Sequence, residues 1–156
     1  CGCSGGSSGS DMACFRSHIS ASQITDKIWR LNMSLIYQSD LIKEEIVVPQ
    51  GFYCDGESVP RIPLVYACLG HTSLRGGFVH DFLYRKGAHP SVSRAKADAI
   101  YREISILTAL EDLKTEGKHA TVLRVAKIES QAWSKWAGVR AGGWMHWRKK
   151  TVDWRP

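Results

Sequence analysis

The stretch from Leu74 to Gly87, L-R-G-G-F-V-H-D-F-L-Y-R-K-G, decides how the rest of the chain is read. Phe78, Val79, Phe82 and Leu83 recur at helical spacing, and Gly87 with Pro90 soon after it supplies a stop, so a helix is predicted from about Leu74 to Lys86. Ser93 is placed to cap a second helix, from Ser93 to about Leu113, with Ala97, Ile100, Tyr101, Ile104 and Leu107 on one face. A third helix is expected from His119 to Trp136, with Val122, Val125, Ala126, Trp133 and Trp136 as its apolar stripe and Gly138, Gly142 and Gly143 ending it. Upstream the period changes. Lys27 to Leu31, Ser34 to Tyr37 and Glu45 to Val48 read as short strands, the last stopped by Pro49. Residues 49–63 hold Pro49, Gly51, Gly56, Pro60 and Pro63, which is turn chemistry and argues for an ordered loop. Strands first and helices second give an α+β domain: a small antiparallel β meander followed by about three helices on one side.

The chain has 156 residues, the size of one domain, and its 44% hydrophobic and 23% charged residues are those of a protein that folds. Residues 1–14 are read as a flexible Gly/Ser leader, since 1–11 contain almost nothing to bury; residues 15–156 are the single domain. Two origins fit the leader: a tag remnant before Met12, or the mature start of a lipoprotein acylated on Cys1, which would tether the protein to an envelope membrane. No apolar run approaches the roughly 18 residues a spanning helix needs. Five cysteines, Cys1, Cys3, Cys14, Cys54 and Cys68, form an odd set without metal-site spacing and indicate no disulfide framework.

The densest group of reactive side chains lies on the first two predicted helices. His80 and Tyr84 are four apart and share a face, while Asp81 is rotated by about 100°. A second helix running back antiparallel can present Asp98 to His80. A histidine oriented by a carboxylate can take a proton from water near neutral pH, and an adjacent carboxylate, Asp81, can hold a divalent cation. The bland reading stands beside it: His80 and Tyr84 as core residues, and Asp98 in a surface ladder with Arg94 and Arg102 at i−4 and i+4. Asp55 is either a ligand or acid supplied by its loop or the acceptor of an ordinary Asx turn around Gly56 to Ser58. His71 and His89 read as loop or surface histidines.

Two resemblances meet at these residues. The irregular pattern V-P-x-G-F-x-x-D-x-x-S-V-P-R from Val48 to Arg61, with Trp29-Arg30-Leu31, His80-Asp81-Phe82-Leu83-Tyr84 and Ser93-Arg94-x-x-x-Asp98, resembles the tailed-phage and prophage family known as domain of unknown function 1353. That family's name implies no activity, but it suggests action in a virion or an infected bacterial cell. The shorter pattern H-D-x-x-Y, a Gly/Pro loop and A-D early in the next helix is similar to the catalytic helices of phospholipase A2, notably the disulfide-free version in parvovirus capsid proteins. The resemblance implies that His80 activates water, Asp98 orients it with Tyr84 beside it, and Asp81 binds Ca2+. The counterpart of that family's glycine-rich calcium loop is Tyr53-Cys54-Asp55-Gly56, with one glycine of the expected two and an extra carboxylate at Asp55. Tyr53, Asp55 and Gly56 are therefore the remaining metal candidates. HD phosphohydrolases also use His-Asp, but they space their outer ligands more widely than His71 and Asp98.

Partners follow from charge. The chain carries +6, and from Lys135 onward six cations face only Asp153, among Trp136, Trp144, Trp147 and Trp154, with Trp133 just before. Such a tail suits an anionic phospholipid surface, and nucleic acid is not excluded; the plain alternative is tryptophans closing the core and cations on a solvated face. Two functions compete: a calcium-dependent lipid-ester hydrolase, and a noncatalytic phage accessory or virion protein that binds a virion or host partner.

Overall fold

A computed structural model describes residues 12–54 and 74–156. The architecture is α+β, and among the described residues six short strands are followed by three helices: β1 (Cys14–Phe15), β2 (Ala21–Gln23), β3 (Trp29–Leu31), β4 (Leu35–Gln38), β5 (Glu45–Val48), β6 (Tyr53–Cys54), α1 (Leu74–Tyr84), α2 (Arg94–Thr115) and α3 (Val122–Gly142), then a 3-10 turn at Gly143–Met145. The pairing is antiparallel throughout and divides into two three-stranded sheets, ordered β1-β4-β5 and β2-β3-β6. β1 begins at Cys14, the last residue assigned to the leader, which pairs with Gln38. β6 falls inside the stretch expected to be loop. Gly51, at φ 81°, turns the chain back so that Tyr53 and Cys54 pair with Arg30 and Trp29. A two-residue strand leaves no periodicity to read.

Strand alternation sets the core. In β5, Ile46 and Val48 point inward while Glu45 and Val47 face out, and Leu35 and Tyr37 of β4 join them. These residues pack with Leu31 and Phe52 against Phe78, Val79, Phe82 and Leu83 of α1. Gly76 and every residue from Phe78 to Tyr84 are buried, so α1 is enclosed on all sides and works as a core helix. Its second neighbour is α2, where Gly76 lets Tyr101 and Ile104 approach. Arg75 pins both sides, ion-pairing with Glu111 of α2 at 2.8 Å and lying 4.6 Å over the Phe15 ring of β1.

The predicted cap is present: the Ser93 side chain accepts from the Lys96 amide. The third helix is shifted from its expected place. It starts after Thr121, whose side chain accepts from the Arg124 amide, and it runs through Gly138 to Gly142. Buried Val139 beyond Gly138 supplies packing that outweighs the propensity cost of one glycine, about 1 kcal/mol. No helix among the described residues is long and apolar enough to cross a membrane.

The chain after α3 folds back onto the end of α1. The Arg148 amide donates to the Tyr84 carbonyl, an acceptor that a helix end leaves open, and the Lys86 amide just beyond that end donates to the Lys150 carbonyl. Trp147 stands edge-on to Tyr84 with ring centroids 5.1 Å apart. Gly143 lies against Tyr84 so closely that an added Cβ would come within 2.3 Å of the hydroxyl and 3.0 Å of the ring. Gly143→Ala is therefore expected to cost about 1–3 kcal/mol by overpacking. Gly77→Ala, a helical site with nothing within 4 Å, should stabilise by up to about 1 kcal/mol. Urea unfolding of the two variants beside the parent chain checks both signs.

Candidate functional site

Helix periodicity places His80 and Tyr84 on one face of α1, and α2 runs back antiparallel to bring Asp98 opposite them, as the spacing predicted. His80 Nε2 is 3.1 Å from Asp98 Oδ1, and both side chains are 0% exposed. The Tyr84 hydroxyl donates to the same Oδ1. The imidazole lies between two aromatic rings, with centroids 4.3 Å from Tyr84 and 4.8 Å from Tyr101. Its other nitrogen, Nδ1, has no hydrogen-bond partner among the described residues.

Asp98 is not part of a surface ladder. Arg140, on α3, donates from Nη1 to Asp98 Oδ2 at 3.1 Å, and Arg94 turns away to donate to the Arg140 carbonyl at 3.2 Å. Arg102 lies over the Trp133 ring instead, 4.2 Å from its centroid. Burial alone would raise the Asp98 carboxyl, but the hydrogen bonds from His80, Tyr84 and Arg140 outweigh it and hold Asp98 below its ordinary range. Burial, reinforced by the hydrogen bond to Asp98, pushes the Tyr84 hydroxyl well upward. Asp98 is thus an ionised acceptor and Tyr84 a neutral donor.

Asp81 points to the other side of α1. It is 2% exposed, and its Oδ2 accepts from the Cys54 thiol of β6 at 2.9 Å. Tyr53 is half-buried beside it in sequence, and its carbonyl accepts from the Arg85 guanidinium at 3.2 Å. Asp55 and Gly56 lie outside the described residues, as does His71. The described part of the expected calcium set does not fit the ion. Ca2+ wants six to eight oxygens, whereas a thiol faces the Asp81 carboxylate and a fixed cation faces the Tyr53 carbonyl. Among the described residues, no three His, Cys, Asp or Glu side chains gather as metal ligands. His89 is a loop histidine, as expected, 3.2 Å from Glu44.

Sequence reasoning assigns no site role to Arg140, Cys54 or Tyr101. Arg140 reads as one cation of the basic tail, and only the antiparallel return of α3 brings it to a residue 42 positions earlier. The tryptophans divide between the two readings. Trp147 packs on Tyr84 and Trp154 takes Arg85 and Lys150 on its ring, while Trp133 and Trp144 are 50% and 65% exposed.

Residues 29–122 match the model of a family described as Protein of unknown function (DUF1353). The match contains His80, Asp81, Tyr84 and Asp98 and ends at the first residue of α3. No curated protein and no solved structure matches the chain.

The two protonation states set a pH profile. Asp98, lowered in the folded chain, contributes stability that is present above the unfolded carboxyl value of about 3.9 and lost as pH falls through its lower folded value. Tyr84, raised in the folded chain, contributes stability that is complete below about pH 10 and lost as pH climbs further. Tyr37, raised by burial and by Glu103, acts in the same direction. Chemical denaturation across pH should therefore show an acid loss that flattens in Asp98→Asn. The alkaline loss should become shallower but not vanish in Tyr84→Phe.

Proposed function

We propose that the chain, which belongs to the DUF1353 family, is a phage- or prophage-encoded lipid-ester hydrolase built on the His80–Asp98 pair. The observation that carries this reading is the asymmetry of the imidazole: Nε2 is held by a buried carboxylate while Nδ1 has no partner among the described residues. Held so, Nδ1 can take a proton from water as the water oxygen attacks an ester carbonyl carbon. Asp98 stabilises the imidazolium that results. Collapse of the tetrahedral adduct breaks the carbon–oxygen bond to the alcohol, which leaves with the proton returned from Nδ1. Tyr84 orients Asp98 and touches no reacting atom. No step is drawn through calcium.

Exposed apolar residues at the turn that packs on Tyr84 support a lipid substrate. Trp144 and Met145, 65% and 45% exposed, lie in the turn that begins at Gly143 against Tyr84, with exposed Arg148 and Lys149 following. An indole and a thioether followed by cations match an interface of acyl chains and anionic head groups. A second reading is favoured by the complete burial of His80 and Asp98, because the ring meets no bulk solvent and water must reach Nδ1 for catalysis. In that reading the network locks three helices of a noncatalytic accessory or virion protein, and the basic face takes a virion or host protein or nucleic acid.

Two experiments decide. Fatty-acid release from mixed anionic phospholipid micelles is expected from the full chain and should fall by at least about 10²-fold in His80→Ala. Parallel runs with millimolar calcium and with chelator test the ion, and no release from folded protein favours the second reading. Sedimentation with anionic vesicles should weaken as salt rises. Binding should fall at least about 30-fold in Arg148→Glu/Lys149→Glu, at roughly 1 kcal/mol per cation lost. Retention on DNA but not vesicles at the same salt would point to nucleic acid.

A further inference from the structure

We infer that Arg140 is a positioning residue for His80, acting through the Asp98 carboxylate. Oδ1 of that carboxylate receives His80 and Tyr84 from α1, which leaves Oδ2 to be held by another element. Arg140 Nη1, 3.1 Å from Oδ2, is the donor that fixes the plane. The guanidinium is itself anchored. Its residue lies in the last turn of α3, where a cation suits the helix end, and its carbonyl accepts from Arg94. An ionised carboxylate can only accept, and the Arg140 guanidinium on Oδ2 favours that ionised form, so Nε2 carries a hydrogen and, in the neutral imidazole, Nδ1 keeps the lone pair.

Arg140 lies 18 residues beyond the span that matches the family model, so the geometry of the His–Asp pair depends on a segment outside the matched region. Only the catalytic consequence of this positioning rests on the hydrolase reading.

The test uses the full chain labelled with nitrogen-15 and the long-range proton–nitrogen correlations of the His80 ring. The native protein should show a single Nε2–H tautomer, and Arg124→Gln, an exposed arginine of the same helix, should leave it unchanged. Arg140→Gln should show mixed tautomers, with the two ring nitrogen shifts moved toward each other. If that variant does not fold by near-ultraviolet circular dichroism, Arg140→Lys is read instead, with the same change at smaller size. A ring signature identical to the native protein in whichever variant folds overturns the proposal. Where lipid hydrolysis is measurable, Arg140→Gln should lower kcat by about 10²-fold with KM little changed, and Arg140→Lys should recover part of it. Absence of hydrolysis in the native chain would remove the proposed function and leave the ring signature to decide the role of Arg140 by itself.

Discussion

Asp98 is a carboxylate with no exposure, and a buried charge persists only when desolvation is offset by donors of good geometry. Here the donors come from different elements: His80 and Tyr84 from α1 and Arg140 from α3, while Asp98 itself belongs to α2. Withdrawing Arg140 leaves Oδ2 without a donor in the interior, and withdrawing His80 or Tyr84 leaves Oδ1 with one donor of its two, so the three helices are held in one relative position by a constraint that apolar packing alone would not impose. The network also joins charge to shape. Tyr84 donates to Asp98 through its hydroxyl and meets Trp147 at right angles with its ring, and Gly143 is small because that hydroxyl is there.

The part of this arrangement that was legible in the sequence is the part written at short range. His80 and Tyr84 share a face by helical geometry, Ser93 is a cap by its side chain, and the loop between α1 and α2 is short enough to make Asp98 face back. The α+β order and the strands β3, β4 and β5 follow from patterning. What was not legible depends on distance or brevity. β1, β2 and β6 are two or three residues long and owe their existence to partners elsewhere. Gly138 reads as a stop, and only the burial of neighbouring Val139 and Ala132 shows why the helix continues. Arg140 looks like one more cation in a basic tail, because composition does not say which cation turns inward.

The same limit applies to the tryptophans. Counted together they suggest a single sticky tail, but the fold separates them: Trp147 and Trp154 secure the chain end to α1 and Arg85, and Trp144 is left outside. The exposed tryptophans are thus fewer than composition implied: Trp133 lies on α3, and Trp144 forms a face at the turn that touches Tyr84. Position, more than abundance, links that face to the buried pair.

The strand order carries a consequence for how the protein is assembled. β2–β3 and β4–β5 are local hairpins, but β1 pairs with β4 and β3 with β6, so the two longer closures overlap along the chain. Such a pattern is crossed, like the stems of a pseudoknot. Cutting the chain between β3 and β4 would sever both closures at once, and no break in that stretch leaves one sheet whole. The two sheets therefore form a single cooperative unit despite having no strand in common, and Leu31 and Leu35, which flank the crossing, both enter the core shared with α1.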